Sequence, residues 1–164
     1  MEQNKIPYIW GLLRLAMGWI FFWAFIDKLF GFGFASTPEN AWIAGGSPTS
    51  GFLNYASKGP FTEFYQDLAG NPVVDMLFMS GLLLVGLALL FGIGVRIAGY
   101  SGAFITLLIF SAGFLPPKNN PLIDHHIIYA ILFLSFSLTK SGHCLGLGKR
   151  WSETKLVKKY PFLE

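Results

Sequence analysis

Cysteine is almost absent. The chain holds one, Cys144, so no intrachain disulfide can form and neither a CxxC redox pair nor a CxxC…CxxC zinc pattern exists. Charge is scarce as well. Asp, Glu, Lys and Arg make up 13% of the 164 residues, against about 25% in a typical soluble domain. That argues against a disordered chain and against a water-soluble globule. The net charge is only +3, and no dense basic stripe carries interleaved aromatics, so no nucleic-acid partner is expected. There is no repeat of fixed period and no low-complexity tract.

What is abundant is apolar. Hydrophobic residues reach 53% and aromatics 17%, with a mean hydropathy of +0.52. The composition fits a small all-α polytopic membrane protein of one domain, residues 1–164. A spanning helix needs about 20 mostly apolar residues. Four stretches approach this, at about 8–26, 73–91, 97–115 and 122–138, and predict a four-helix antiparallel bundle. The first is not a cleavable signal, because it lacks an A-x-A site and is ended by Asp27 and Lys28. Gly92-Ile93-Gly94 makes a short turn between spans two and three. The run Pro116–Pro121 breaks the chain between spans three and four, since proline cannot continue a helix.

The basic residues are unevenly placed. Lys5, Arg96, Lys140, Lys149, Arg150, Lys155, Lys158 and Lys159 fall on one side. Lys28, Lys58 and Lys118 fall on the other, together with Asp27, Glu39, Glu63, Asp67, Asp75 and Asp124. The positive-inside bias then predicts a multi-pass protein of the cell membrane with both termini cytoplasmic. Membrane lipid is the first expected partner. The basic tail, 139–164, reads either as a solvated segment or as one lying on anionic lipid, where Trp151 and Phe162 interleave with lysines.

The loop between spans one and two is too long to be structureless. Pro60 and Gly70 bracket a short helix. Phe61, Phe64, Tyr65 and Leu68 share one face by their i, i+3, i+4, i+7 spacing, and that face is expected to turn inward. A second short helix fits Thr49 to Ser57. Together they form surface helices or a lid.

Ionisable groups inside a span are costly and carry function by default. Arg14 sits within span one. It either snorkels to the inner headgroups or faces the bundle and holds an acceptor. Lys28 lies four turns later near the same stripe. At the opposite ends of the other helices stand Asp75, Asp124, His125, His126 and Tyr129. Asp124 either caps span four or pairs with Lys28. A histidine pair could bind metal, with Asp124, His126 and Asp75 completing the site, but adjacent histidines point about 100° apart on a helix, so one ion rarely takes both and no metal site is expected. Proton transfer to a quinone suits the set better, because histidine titrates near neutral pH. The expected site has Asp124, His126 and Lys28 as its reactive groups. Tyr129, Asp75, His125 and Arg14 bind substrate or quinone around them. The chamber would be walled by Phe21, Phe25 and Phe133, with Arg14 deepest. Cys144 and His143 lie in a glycine-rich turn that fails as a P-loop.

Gly18-Trp-Ile-Phe-Phe-Trp-Ala-Phe-Ile-Asp-Lys-Leu-Phe30 resembles the first-helix signature of the DoxX/DoxD family. Gly70-Asn-Pro-Val-Val-Asp75, Pro116-Pro-Lys-Asn-Asn-Pro-Leu-Ile-Asp-His-His126 and Leu145-Gly-Leu-Gly-Lys-Arg-Trp151 continue the resemblance in order, over about residues 8–151. It implies a four-helix integral membrane protein. In the DoxD branch it implies the membrane subunit of a thiosulfate:quinone oxidoreductase, which makes tetrathionate. No haem, flavin or dithiol motif is present, so electrons would pass directly from a sulfur compound to quinone or come from a second redox subunit. Quinone would be a substrate, and no covalently bound cofactor is expected. A homo-oligomer is the other expected assembly. The contrasting expectation is a non-enzymatic scaffold or small-anion carrier.

Overall fold

In a computed structural model, residues 5–119 and 121–164 are described. Asn120, in the proline-rich break, lies outside them. Helix is the dominant regular structure, and no strand occurs among the described residues. The long helices are α1 (Ile6–Phe30), α4 (Pro72–Phe91) and α5 (Val95–Gly113). Two short helices, α2 (Ser50–Tyr55) and α3 (Thr62–Asp67), occupy the long loop. Then come α6 (His125–Leu138), α7 (Gly148–Ser152) and α8 (Lys155–Lys159).

Three helices, α1, α4 and α5, are long and apolar enough to cross a membrane. Only 28% to 39% of each apolar stretch is buried inside the molecule. Their outward faces carry Leu12, Trp19, Met76, Leu84 and Phe104 in the open. A water-soluble bundle would hide such faces; these suit lipid tails. The fourth expected span is shorter than its apolar run. Helix α6 has 14 residues, roughly 21 Å at the helical rise, against a hydrocarbon core of about 30 Å. It starts at His125 because Asp124 takes extended backbone and becomes the N-cap.

Helix α1 also runs past its expected stop, through Asp27 and Lys28 to Phe30. Gly31 ends it in the left-handed region, φ 71°, where glycine alone is unstrained. The helices pack as two main pairs, α1 with α4 and α5 with α6, joined by α4 against α5. Close approach explains the first pair. A Cβ on Gly18 would lie 2.9 Å from the Leu90 nitrogen, and one on Gly86 would lie 2.7 Å from the Phe22 nitrogen. In the second pair, Phe133 lies against Gly102. Phe133, Phe136, Met79 and Leu89 are fully buried between the helices.

The bundle has two ends. The loop end carries residues 31–71 and the start of α6. Here α2 lies against the end of α5: Phe52 stacks on Phe114 and the Lys58 amide donates to the Ala112 carbonyl. Helix α3 forms close to where it was expected but is rotated differently. The Tyr65 hydroxyl meets Ser111 Oγ at 2.6 Å and Leu68 is half-buried. Phe61 and Phe64 are exposed, so only half of the expected face turns inward. A six-residue helix has too few contacts to bury a whole stripe, and the Tyr65 anchor fixes its rotation.

The tail end carries the α4–α5 turn and residues 139–164. This segment is folded against the helix ends rather than loose. The Leu147 amide donates to the Phe91 carbonyl at 2.8 Å, and the Arg96 amide donates to the Glu164 carbonyl at 2.9 Å. Trp151 Nε1 donates to the Leu163 carbonyl, and Val157 is buried. The tail is a folded cap on the helix ends.

Candidate functional site

Arg14 faces the bundle and is completely buried. Its guanidinium has five N–H donors, and five carbonyl oxygens surround it. Nε donates to Ser141, Nη1 to Leu89 and Leu90, and Nη2 to Cys144 and Leu145. The last four carbonyls of a helix have no partner within it, and in α4 all four are met. Ala88 accepts from the Gly92 and Ile93 amides, Leu89 and Leu90 from Arg14, and Phe91 from the Leu147 amide. A cation at a helix C-terminus also suits the macrodipole. Arg14 is therefore a clamp between α1, the end of α4 and the turn after α6. It has no donor left for a ligand and lies at the tail end, away from the other expected site residues.

Two buried carboxylates do similar work at the loop end. Asp27, 1% exposed, accepts from the amides of Phe34, Ala35 and Ser36. It folds the chain back over the end of α1. Asp75 accepts from Ser47 Oγ, the Thr49 amide and Thr49 Oγ1 on one oxygen. It pins the entrance of α2 to the first turn of α4. Lys28 is half-buried and makes no hydrogen bond or ion pair among the described residues. The structure brings neither Lys28 nor Asp75 into contact with Asp124.

Two of the expected chamber walls touch each other. Phe21 and Phe133 meet edge to face at 4.9 Å, and both are buried. They fill a core. Two cavities lie toward the tail end. One, of about 280 Å³, is bounded by Arg96, Lys140, His143 and Glu164 among others. The second, of about 340 Å³, is a mostly apolar groove between α4 and α5 that ends at Trp151 and Leu163.

What the structure does gather is the start of α6. Asp124 Oδ1 accepts from the His126 and Ile127 amides, so the carboxylate caps the helix. Its Oδ2 lies 2.7 Å from His126 Nδ1 and 3.5 Å from His125 Nδ1. The two imidazole centroids are 4.1 Å apart. Phe114 lies over His126 at 4.4 Å, and the Tyr129 ring meets His125 at 5.6 Å and His126 at 6.5 Å. Asp124 and His126 are about nine-tenths covered while His125 is open. Of the two expected roles for Asp124, the cap is the one realised.

This arrangement holds a carboxylate–imidazole pair beside a phenol, with an aromatic lid and one open side. It can hold and pass a proton. Phe114 was missed in the sequence; its position just before a Leu-Pro-Pro break was the only signal. Ser47 and Thr49, the partners of Asp75, left none. No family model, curated protein or solved structure matches the chain.

Proposed function

We propose that the protein is a DoxX/DoxD-like membrane redox subunit that passes electrons from a sulfur compound to quinone, with the start of α6 supplying protons. The observation that carries this reading is the 2.7 Å contact between Asp124 Oδ2 and His126 Nδ1. A carboxylate on Nδ1 holds the proton there and leaves Nε2 as the acceptor, which takes up a proton and then hands it on as the imidazolium. The Tyr129 ring lies 6.5 Å from His126 and carries a hydroxyl donor, and Phe114 and His125 give an aromatic wall. Quinone takes two electrons and two protons to become the quinol. Two thiosulfate ions, each losing one electron, join as tetrathionate. Lys28, which feels Asp27 but makes no hydrogen bond or ion pair among the described residues, offers the anion an attraction at the same end.

In this reading α6 is the fourth membrane segment, helped by the apolar residues Leu122 and Ile123 before it. The basic excess at the tail end puts both termini in the cytoplasm. A second redox subunit or a second copy completes the electron path. A scaffold or small-anion carrier is the competing reading. It is favoured by the way Arg14, Asp27 and Asp75 are all absorbed into architecture.

The test is purification in mild detergent, extraction of bound quinone, and thiosulfate-driven reduction of a soluble quinone analogue. Removal of a general acid lowers turnover by about 10²–10⁴-fold. We expect His126→Ala to fall in that range, and Lys28→Ala to weaken thiosulfate use, both with native helix content. No co-purified quinone, together with full activity in both variants, would leave only the scaffold or carrier.

A further inference from the structure

We propose that Asp124, His125 and His126 form a binding site for a divalent first-row transition metal, of which Zn²⁺ is the best fit. This goes beyond the quinone reading and does not depend on it, and a bound ion would replace the Asp124 Oδ2–His126 Nδ1 hydrogen bond that the quinone reading uses. Ideal helix geometry separates neighbouring side chains by about 100°, which would keep two adjacent histidines off one ion. The structure evades that rule at the helix start. Asp124 folds over the first turn to cap it, and this puts one carboxylate oxygen between both rings. Each of the three residues offers a ligand atom, and the three atoms all lie within 4.8 Å of one another. The Nδ1 to Oδ2 separations are 2.7 and 3.5 Å. A tetrahedral zinc ion with ligand bonds of about 2.0–2.1 Å needs ligand atoms roughly 3.4 Å apart. The 2.7 and 3.5 Å separations bracket that spacing.

The chemistry of the set agrees. Two imidazoles and a carboxylate match zinc and its neighbours rather than Ca²⁺ or Mg²⁺, which take oxygen. One cation would answer both Nδ1 atoms and neutralise the carboxylate, where a single shared proton answers only one of them. Two of the three ligands are mostly covered, beneath Phe114, while His125 is exposed. The ion therefore has a route in, and a coordination position remains open for water or another donor. With Nδ1 on the metal, Nε2 of His126 stays available.

The experiment uses the full chain in mild detergent, stripped with a chelator and free of quinone. Zn²⁺ is titrated by calorimetry, and Co²⁺ is followed by its visible absorption. One ion per chain is expected, with weaker binding in acid because the ligands must be deprotonated. His125→Ala, at an exposed position, should weaken binding roughly tenfold or more. Asp124→Asn keeps a capping oxygen but removes the charge, and should weaken it too. His143→Ala, at the opposite end of the molecule, should not. Absence of saturable binding, binding unchanged in His125→Ala, or binding lost in His143→Ala would each overturn the site. Because heat and absorbance are read without quinone, failure here leaves the redox reading standing. Metal binding that survives while thiosulfate-driven turnover is absent would sink the redox reading alone.

Discussion

Arg14 sets the terms at the residue scale. A charge deep in a bilayer costs about 2.5–3.5 kcal/mol on insertion scales, and five carbonyls offset that cost here. Arg14→Ala would orphan several of them, each worth about 1–3 kcal/mol when left buried and unpaired. The variant should lose at least about 3 kcal/mol of stability. Arg14→Lys keeps the charge but has three donors instead of five, so it should fall between. Thermal unfolding in detergent measures both, and an unshifted melting temperature in Arg14→Ala would remove the clamp. The importance of Arg14 was legible in the sequence, because a cation in an apolar run must be answered. Its partners were not. Backbone carbonyls have no signature in the sequence, and these lie 75 to 131 residues away. Asp124 was half legible. An Asp before an apolar helical run announces a cap, but the convergence of two neighbouring histidines on it depends on how that cap folds.

At the scale of the element, apolar runs found α1, α4 and α5 to within a few residues. Their ends moved for local reasons: Asp27 faces inward, so its charge did not stop α1. Helix α3 was located by Pro60 and Gly70 and α2 by the apolar piece Thr49 to Ser57, but their rotation was set by Tyr65 and Phe52, whose partners at the end of α5 no local periodicity names. The pairing of α1 with α4 through Gly18 and Gly86 had no signature in the sequence. A Cβ on Gly86 has no room, because the obstacle is the backbone of α1 at Phe22 rather than a movable side chain. Gly86→Val should therefore cost about 1–3 kcal/mol or more. Gly51→Ala, where a Cβ meets open space, should be nearly neutral. Folded yield in detergent compares them, and equal yields would mean that α1 and α4 can separate without consequence.

At the scale of the whole molecule, the two ends are built differently. The loop end is held by buried carboxylates and the tail end by a cap that folds onto the α4–α5 turn. Glu164 fastens part of that cap, meeting His143 Nε2 at 2.8 Å and Lys140 Nζ at 3.2 Å. Burial alone would push its carboxyl up, but Lys140 and His143 outweigh this and hold it below the ordinary carboxylate value. A depressed carboxylate stabilises fully above its unfolded value, about 4.3, and loses that contribution as pH falls through the folded one. The Arg96 amide, bonded to the Glu164 carbonyl, should exchange hydrogen faster below about pH 4, after correction for the intrinsic rate. Glu164→Gln should abolish that acid step, and a step that persists in the variant would assign it to another group. The clamp at Arg14 has a further consequence, one of timing. The first helix leaves the ribosome carrying a bare cation, and the acceptors at residues 141–145 are made more than a hundred residues later. Until then Arg14 can meet at most the Leu89 and Leu90 carbonyls, two of its five acceptors. Synthesis past residue 145, more than formation of the first helix, is what completes the clamp.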